Sequence, residues 1–417
     1  MKTSSLPIFD RIMGVPVVKP GEGYSLLAGV TVLDLSTSVA GPYATMLLSD
    51  FGARVVKIER RGEGDDARSW GPPFLDNDSL WFIAMNRNKE SLTLDITASR
   101  GKSVLLDLVA KADVMLVNQS RRVVKKLGID PEAMTAANPR LIYVSVTGFG
   151  FDGERADWPC YDLIAEGYSG VMDLTGELNG RPQKVGAPAA DMLAGQDAAM
   201  ATMAALFARH TTGRGSVVDV ALVDSMTRFL SCRIASYLGS GDPARRSGGT
   251  DSVIAVYQSF ETADEPLTLG LGNSRIWKRF WKTVGRPEYG DRAEFSTNAE
   301  RRAARSVIVA EIQAILRQKP RSQWLAQFAT ARVPAGPINR IDELPQDEEL
   351  VRRGLLYYLE DGERTTPQVG TGIQINGVAN VPRSGPPRMG AHTRAILQTM
   401  LGYDTAMIDA LSLDGTI

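Results

Sequence analysis

A regular alternation of short apolar segments and helical segments runs through residues 29–146, and no other feature of the sequence constrains the fold as strongly. Residues 30–35 (VTVLDL) are typical of a buried strand, and a helix follows in which Pro42 suits a first helical position. Residues 54–58 are the next predicted strand, which ends at Glu59. The two strands are expected to be parallel, because a helix that joins them carries the chain back across the sheet.

The same alternation continues along the chain beyond Glu59. Strands are predicted at 91–96, 113–118 and 141–146, and helices at 100–112, 121–126 and 131–137. The sequence therefore predicts an α/β protein with a mostly parallel, doubly wound sheet. In such sheets ligands bind beyond the carboxyl ends of the strands. The loops at 36–41, 118–120 and 147–150 are expected to meet at that edge.

The loop at 36–41 argues against a nicotinamide dinucleotide as the ligand. It carries one glycine, Gly41, where the fingerprint for that ligand needs three at fixed spacing. Glu59 is followed at once by Arg60 and Arg61, and arginine suits phosphate better than a ribose hydroxyl. A nucleotide with an additional phosphate is the better interpretation, with solvated surface arginines as the alternative.

An isolated carboxylate, Asp191, lies among small and apolar residues in the stretch 186–215. The residues after it predict a tightly packed helix that ends near Arg209. A carboxylate at the start of a helix is stabilised as the anion by the free N–H groups and the dipole there. On this stretch alone an N-cap is favoured over a catalyst. Asp162 has the same two interpretations, with equal weight.

The charge balance and the residue counts bear on several classes of partner. The formal net charge of the 417 residues is −1, which gives no support for nucleic acid or a membrane surface as the main partner. Two cysteines cannot form a disulfide framework, and two histidines argue against a zinc site. The first residues lack the features of a signal peptide, and no window holds 18 uninterrupted apolar residues. A cytoplasmic protein without a membrane span or a metal is expected.

The composition of the sequence indicates an extension at its start and two linkers in its second half. Residues 1–24 are predicted to be a loosely structured N-terminal extension, and linkers are predicted at 239–251 and 333–338. Between the linkers, residues 245–335 predict a smaller α+β domain with a hairpin followed by helices. The aromatic residues of its first helix stand at helical spacing and are expected to lie in a core.

Several segments, in order along the chain, resemble the class III coenzyme A transferases, the family of formyl-CoA transferase and carnitine-CoA transferase. They are GVTVLDLSTSVAGPYATMLLSDFGARVVKIERRGEGD (29–65), NRNKESLTLDI (86–96), ADVMLVN (112–118), NPRLIYVSVTGFG (138–150), YDLIAEGYSGVMDLTG (161–176), the Asp191 stretch with TGRG (212–215), and GPPRMGAHTRAIL (385–397). The resemblance spans nearly the whole chain after residue 25 and is weaker at 245–335.

The resemblance implies an architecture that the local patterns do not give. Residues 25–238 and 339–417 would together form a large Rossmann-like domain, with the smaller domain inserted between them. It also implies a homodimer whose two subunits thread through one another like linked rings.

The resemblance further implies that Asp191 is the nucleophile of a CoA-transferase and that Asp162 supports it. The carboxylate would attack an acyl-CoA thioester, and coenzyme A would then pass to a carboxylic acid through enzyme-bound anhydride and aspartyl thioester species. Such an exchange is nearly neutral in free energy, so no permanently bound cofactor is expected. The coenzyme contacts of the family fall on Ser38, Val39, Arg60, Leu94, Asn118, Gln119 and Lys126. The two basic residues of this set suit the phosphates.

The sequence departs from the family pattern at two positions. Val39 replaces a glutamine of the formyl-CoA branch, and Glu166 replaces a glutamine of many members, which disfavours oxalate and formate as substrates. The related 2-methylacyl-CoA racemases use a histidine–aspartate pair, but Tyr161 precedes Asp162 here and neither histidine lies in that segment. A transferase is therefore favoured over an acyl-CoA isomerase, including one that shifts CoA within a single substrate. A CoA-binding protein without turnover and a dehydrogenase rank lower.

Overall fold

Short strands and helices alternate along the chain, of which the computed structural model describes residues 12–417. The strands are β1 (Val17–Val18), β2 (Thr31–Asp34), β3 (Arg54–Glu59), β4 (Phe74–Leu75), β5 (Asp78–Ser79), β6 (Lys89–Thr93), β7 (Val114–Val117), β8 (Ile142–Thr147), β9 (Ser216–Ala221), β10 (Tyr257–Phe260), β11 (Leu267–Gly270), β12 (Ala335–Pro337), β13 (Leu356–Asp361), β14 (Arg364–Val369), β15 (Gln374–Ile375) and β16 (Val378–Ala379). The helices are α1 (Ala40–Asp50), α2 (Leu80–Met85), α3 (Ser99–Lys111), α4 (Arg121–Leu127), α5 (Pro131–Ala137), α6 (Asp162–Ser169), α7 (Val171–Leu174), α8 (Ala189–Thr212), α9 (Leu222–Phe229), α10 (Ser231–Ser240), α11 (Ser274–Thr283), α12 (Pro287–Gly290), α13 (Asn298–Ala303), α14 (Arg305–Leu316), α15 (Arg321–Ala331), α16 (Glu348–Arg352), α17 (Thr393–Leu401) and α18 (Thr405–Leu413).

A six-stranded parallel sheet carries the site described below. Its strand order is β6-β3-β2-β7-β8-β9, and each neighbouring pair runs parallel. The chain moves outward from β2 through β3 to β6, and then returns to form β7 on the other side of β2. This reversal leaves a crevice between the loops that follow β2 and β7, where open α/β sheets bind ligands. The predicted α/β class with a parallel sheet is confirmed.

The core of this sheet joins segments from both ends of the sequence. Leu33, Val56 and Met115, on three neighbouring strands, are fully buried. They belong to one apolar cluster with Leu105 of α3 and Ile396 of α17. Parallel strands are apolar runs because helices cover the sheet, and here one of the covering helices comes from the C-terminal part of the chain.

The structure divides into two units. The first unit comprises the described residues up to Ser169, together with Val185–Ser231 and Pro345–Ile417, and it contains the parallel sheet. The second unit comprises Gly170–Lys184 and Cys232–Leu344.

The second unit has a core of its own. Strands β10, β11 and β12 form its antiparallel sheet. Trp277, Phe280 and Trp281 of α11 are fully buried beside Trp324 and Phe328 of α15. The prediction that the aromatic residues of the first helix form a core is therefore confirmed.

Several element boundaries differ from those that the sequence predicts. Ala335–Pro337, within the predicted linker 333–338, form β12, which pairs with β11. Residues 170–184, within the predicted large domain, lie in the second unit. The predicted N-terminal extension falls outside the described residues as far as residue 11, and its remainder includes β1, which pairs with β13.

Candidate active site

The loop after β2 is fastened to the end of β7 across the crevice. The side chain of Asn118 accepts a hydrogen bond from the Thr37 N–H (3.1 Å) and donates one to the Thr37 carbonyl (2.8 Å). The Gln119 amide donates to the Leu35 carbonyl at 2.8 Å. Asn118 and Gln119 are two of the predicted coenzyme contacts. In this structure their side chains hold the loop after β2 in place.

Buried charged side chains also hold the loop after β2 in place. The Lys57 ammonium is fully buried, lies 2.8 Å from a carboxylate oxygen of Asp65 and donates to the Ser36 carbonyl at 2.9 Å. The other carboxylate oxygen of Asp65 accepts the Ser38 N–H at 2.9 Å, where the Ser38 φ angle is +73°. Burial lowers the pKa of Lys57, but the charges of Asp34 and Asp65 outweigh it and hold the pKa above its usual range. Lys57 is therefore a cation, and the loop conformation is fixed by paired charges.

A cavity of about 990 Å³ opens beside this loop, at the carboxyl ends of β2, β3, β6 and β7. Its walls are formed by residues 35–37, 58–66 and 94–97, with Gln119, Val123, Leu127, Ile129 and Gly415. The apolar residues come from the strand ends and α4, whereas the loop after β3 supplies several charges. A volume of this size accommodates a large part of a nucleotide-containing ligand.

The predicted coenzyme contacts lie in and around this cavity. Arg60, Leu94 and Gln119 line it. The loop after β2, which carries Ser38 and is bonded to Asn118 through Thr37, borders the cavity. Val39 is buried at the start of α1. Lys126 is exposed on α4 and does not belong to the lining, although two apolar residues of the same helix do.

Asp191 lies in the first turn of α8 and does not cap it. The helix begins at Ala189, and Pro188 occupies the N-cap position without a side-chain bond. The free N–H groups of Ala190 and Asp191 instead donate to one carboxylate oxygen of Asp162, at 2.8 and 3.1 Å. The interpretation of Asp191 as an N-cap is therefore wrong. Asp162 satisfies these amides from the first turn of another helix, α6, and replaces a local cap worth about 1 kcal/mol.

The electrostatic surroundings of Asp191 oppose its ionisation. Burial, and next the charge of Asp162, raise the pKa of the Asp191 carboxyl to about 7. Within residues 12–417 no cation forms an ion pair with this carboxyl group. Burial, with the charges of Asp191 and Asp162, likewise raises the pKa of the neighbouring Cys160 thiol to about 11. Near neutral pH the thiol is therefore protonated, which leaves Asp191 as the better nucleophile of the pair.

A close contact between two helices links Asp191 to the loop after β2. A Cβ atom placed on Gly195 would lie 2.7 Å from the Ala40 carbonyl oxygen and 2.9 Å from the Tyr43 ring. Gly195 thus lets α8 approach the first turn of α1, which directly follows the loop. Asp191 precedes Gly195 by four residues, about one helical turn. Asp191 itself does not line the cavity. The loop after β2 does line it, and this loop leads into α1, which packs against α8.

Neither histidine forms a hydrogen bond or an ion pair with Asp191 in the described range 12–417. His210 is in the last turn of α8, 19 residues after Asp191, which corresponds to about 28 Å of helix. The Nδ1 atom of His392 accepts the Ser91 N–H at 3.1 Å.

Sequence reasoning missed several residues that shape the site. Asp65 and Lys57 hold the loop, and Gly195 sets the approach of the two helices. A lysine in the middle of the apolar strand VVKIE was a usable signal, because a charge in a buried strand needs a partner. No local pattern marks Asp65 or Gly195.

No cluster of candidate ligands for a metal ion occurs in the described part of the chain. Among residues 12–417 no group of three or more His, Cys, Asp or Glu side chains is arranged to hold one. None of the helices in that range combines the length and the apolar character needed to cross a membrane.

Comparison with known proteins gives a consistent set of matches. The family model described as CoA-transferase family III matches residues 27–393. The chain is 35% identical over 394 residues to a Mus musculus protein named succinyl-CoA:glutarate CoA-transferase, covering 94% of this chain and 90% of that protein. It is 33% identical over 363 residues to a protein of Acetobacter aceti named acetyl-CoA:oxalate CoA-transferase, covering 87% and 92%.

A solved structure agrees with these sequence matches. The crystal structure of a CaiB/BaiF family protein from Brucella suis has a TM-score of 0.79 and 35% sequence identity to this chain. The match covers 90% of this chain and 100% of that one.

Proposed function

This chain belongs to CoA-transferase family III, and we propose that it moves coenzyme A from an acyl-CoA donor to a carboxylic acid through covalent chemistry at Asp191. It is an enzyme of the CoA-transferase class, as its relatives are named. The observation that carries the covalent part of the proposal is the state of Asp191. Its carboxyl group lies in the first turn of α8 with a pKa raised to about 7. One turn further along, at Gly195, α8 packs against the start of α1, which directly follows the loop that borders the cavity.

The proposed reaction proceeds by exchange at carbonyl carbons. The Asp191 carboxylate attacks the thioester carbonyl of the donor, the C–S bond breaks, and a mixed anhydride and a CoA thiolate form. The thiolate attacks the aspartyl carbonyl of the anhydride, releases the donor acid and leaves an aspartyl-CoA thioester. The acceptor carboxylate attacks the aspartyl carbonyl of this thioester, the C–S bond breaks, and the CoA thiolate and a second mixed anhydride, between Asp191 and the acceptor, form. The thiolate then attacks the acceptor carbonyl, which yields the new acyl-CoA and free Asp191.

Asp162 is proposed to position the nucleophile. Its bonds to the N–H groups of Ala190 and Asp191 fix the first turn of α8. The charge of Asp162 also keeps the pKa of Asp191 high, and a more basic carboxylate attacks a thioester more readily. A fixed nucleophile removes much of the orientational cost of the attack.

Coenzyme A is proposed to occupy the cavity at the carboxyl ends of the strands. The proposed contacts are Ser38, Val39, Arg60, Leu94, Asn118, Gln119 and Lys126. Support comes from the cavity lining, which includes three of them, and from the loop after β2, which borders the cavity and leads to α1. The apolar strand ends suit the adenine and pantetheine portions, and the charged loop after β3 suits the phosphates.

The acids exchanged are proposed to be small carboxylates, with succinyl-CoA as the first donor to test. Relatives carry names that include succinyl-CoA with glutarate, and acetyl-CoA with oxalate. Val39 at the start of α1 argues against oxalate and formate for this chain. A panel that crosses succinyl-CoA and acetyl-CoA with glutarate, mesaconate, oxalate and monocarboxylates tests both statements.

Trapping the covalent intermediate tests the role of Asp191. The protein is incubated with succinyl-CoA and then with hydroxylamine, which converts an aspartyl thioester or anhydride to a hydroxamate. Peptide mass spectrometry is expected to find the hydroxamate at Asp191, and the Asp191→Ala protein is expected to lose CoA exchange. The Asp162→Asn protein is the matched control, because it alters the neighbouring carboxyl group and should still be labelled at Asp191. Wild-type exchange rates in Asp191→Ala would rule the covalent mechanism out.

An isomerase of the same fold is the alternative function. A racemase would exchange the α-hydrogen of its acyl-CoA with deuterated water, whereas the proposed transferase leaves this hydrogen in place. The distance of about 28 Å along α8 between Asp191 and His210 argues against a histidine–aspartate pair in one chain. A protein that binds CoA without turnover would show neither deuterium exchange nor labelling.

The active protein is proposed to be an interlaced homodimer. Support comes from the exposed apolar side chains of α6 and α8. Phe207 and Met200, seven residues apart on α8, are 80% and 54% exposed in the single chain. Leu163 and Tyr168 of α6 are each 48% exposed. Large exposed apolar side chains on neighbouring helices are typical of an interface between copies.

A further inference from the structure

Two consecutive arginines at the cavity differ in their surroundings. Arg60 is held by two acids of the same loop, with its guanidinium 3.2 Å from Glu63 and 2.6 Å from Asp66. Arg61 lines the same cavity and forms no ion pair or side-chain hydrogen bond with any residue in the described range 12–417. The charge of Arg60 is therefore already compensated, whereas that of Arg61 is available to a ligand.

The guanidinium of Arg61 lies against a turn near the C-terminus. Gly415 has a φ angle of +82°, and a Cβ atom placed on it would lie 2.8 Å from Nη1 of Arg61 and 3.8 Å from its Cζ. The guanidinium thus packs against the backbone of the turn, in a space that a side chain would fill. The backbone conformation favours glycine there, and a side chain at this position would displace the guanidinium of Arg61.

The turn is tied to the cavity wall by its own hydrogen bonds. The Thr416 carbonyl accepts the Asp95 N–H at 2.8 Å, and the Thr416 hydroxyl donates to Asp414 at 2.7 Å. Asp414 also forms an ion pair with Arg100. These contacts make the turn a fixed support for Arg61.

The remaining charges of the cavity wall are nearly all paired. Glu59 binds Arg68 at 2.7 Å, and Asp65 binds Lys57 at 2.8 Å. Apart from Arg61, the one charged residue of the wall without an ion pair in the described range is Asp95. Its carboxylate accepts hydrogen bonds from the N–H and the hydroxyl of Thr97. On the opposite side, the Gln119 Oε1 atom is buried without a hydrogen-bond partner among the described residues. The wall therefore offers one uncommitted arginine and one uncommitted buried polar atom to a ligand.

We infer that Arg61, supported by the Gly415 turn, is the main cation that binds a phosphate of the coenzyme in this cavity. Arg60 contributes less because it must first leave Glu63 and Asp66. The inference rests on the proposed function, since it takes a CoA thioester as the ligand. The phosphate is either the diphosphate or the 3′-phosphate of the coenzyme, and both present the oxygens that a guanidinium binds with paired hydrogen bonds.

Calorimetric titration of the full chain with CoA tests the inference without turnover. Arg61→Gln is expected to raise the dissociation constant at least about tenfold, and Arg60→Gln about threefold or less, since a charge-assisted bond is worth about 1.5–3 kcal/mol. Arg214→Gln removes an exposed arginine outside the site and is expected to leave the dissociation constant unchanged. Wild-type affinity in Arg61→Gln, or a larger loss in Arg60→Gln, would overturn the inference.

Titration with 3′-dephospho-CoA identifies the phosphate. If Arg61 binds the 3′-phosphate, the difference between wild type and Arg61→Gln disappears with this probe. If it binds the diphosphate, the difference persists. If the wild type and Arg61→Gln bind CoA equally well, and also bind 3′-dephospho-CoA equally well, the inference is wrong. A wild-type protein that binds neither probe would instead contradict the proposed function.

The Gly415 turn is tested by a double-mutant cycle. Gly415→Ala is expected to weaken CoA binding by displacing Arg61, and to add little to Arg61→Gln in the double variant, because both changes remove one interaction. Fully additive losses would show that the turn does not act through Arg61. Circular dichroism checks that Gly415→Ala is folded, and the Arg61→Gln result stands if it is not.

Discussion

Asp191 is subject to two opposing effects on its pKa. A helix N-terminus favours the anion, whereas burial and a neighbouring carboxylate favour the protonated form. The pKa of about 7 shows that burial and the charge of Asp162 prevail. Asp162 also takes the two N–H groups of the first turn that would otherwise stabilise the Asp191 anion. Local structure thus keeps the proposed nucleophile more basic than an ordinary aspartate.

The pH dependence of the reaction follows from this pKa. Attack requires the Asp191 anion, so kcat/KM is expected to fall as the pH decreases through about 7, by about tenfold per unit below it. Asp162→Asn keeps an oxygen acceptor for the helix N–H groups and removes the charge. The acid limb of the profile should move to lower pH in this variant, but remain above the usual range of aspartate because burial is the larger cause. Initial rates between pH 5 and 9, in roughly half-unit steps, measure both profiles.

A second substitution at the same position provides the comparison. Asp162→Ala removes both the charge and the acceptor, so it should share the shifted limb and also lower the plateau rate, because the first turn of α8 loses its cap. An acid limb that does not move in Asp162→Asn would contradict the coupling of the two carboxyl groups.

The sequence identified Asp191 as a candidate but assigned the local contact incorrectly. The composition around Asp191 is local information, and so is the expectation of a helix start. The residue that satisfies the helix N–H groups is Asp162, 29 residues earlier, and only the packing of α6 against α8 brings it there. The same limit applies to Asp65, whose bond to the Ser38 N–H joins two loops of the folded chain. Partners of this kind leave no periodic pattern in a sequence.

At the scale of elements, the contact between α1 and α8 controls the position of the proposed nucleophile. Gly195→Ala is expected to lower the unfolding midpoint and weaken CoA binding, because the added Cβ meets the Ala40 carbonyl oxygen at 2.7 Å. Overpacking of this kind costs about 1–3 kcal/mol. Most of this range exceeds the gain of about 1 kcal/mol from replacing a helical glycine with alanine, so a net loss of stability is expected. Thermal unfolding and CoA titration measure the two effects.

Gly239→Ala is the matched control for the helix contact. Gly239 also lies in a helix, α10, and no atom lies within 4 Å of the place where its Cβ would stand. This variant should be as stable as the wild type or slightly more stable. If Gly195→Ala and Gly239→Ala are equally stable, α1 and α8 can move apart to accept the added Cβ without a loss of stability.

The elements themselves were predictable where apolar periodicity was strong. The strands of the parallel sheet and the helices between them are apolar because both faces of the sheet are covered, and this pattern is readable residue by residue. Strand β12 was taken for a linker because its three residues, Ala-Gly-Pro, have no strand pattern, and its pairing with β11 makes it a strand. The hairpin of β13 and β14 was missed, although Asp361-Gly362 between two alternating segments is a turn signal.

At the scale of the whole molecule, the exposed face of α8 predicts association of two chains. Sedimentation of the wild type at micromolar concentration is expected to give twice the mass of one chain. Phe207→Glu places a charge where an apolar side chain is 80% exposed. Loss of about 2 kcal/mol per copy, doubled by symmetry, should raise the dissociation constant about a thousandfold.

Ile341→Glu controls for the introduction of a charge at an exposed apolar position. Its side chain is 87% exposed and belongs to the second unit. A wild type that sediments as a monomer would contradict the homodimer. Association of Phe207→Glu as tight as that of the wild type would exclude this face of α8 from the interface.

The pairing of distant segments around the cavity has a consequence for the order of folding. Asp95 of the cavity wall donates its N–H to the carbonyl of Thr416, 321 residues later, and the Gly415 turn contacts Arg61 across 354 residues. Closing such long loops is slow, so this wall of the cavity is expected to assemble after the local strand–helix pairs. A ligand that needs the finished wall binds only the completed unit and draws the folding equilibrium toward it. In this way the substrate would select the molecules that have folded correctly.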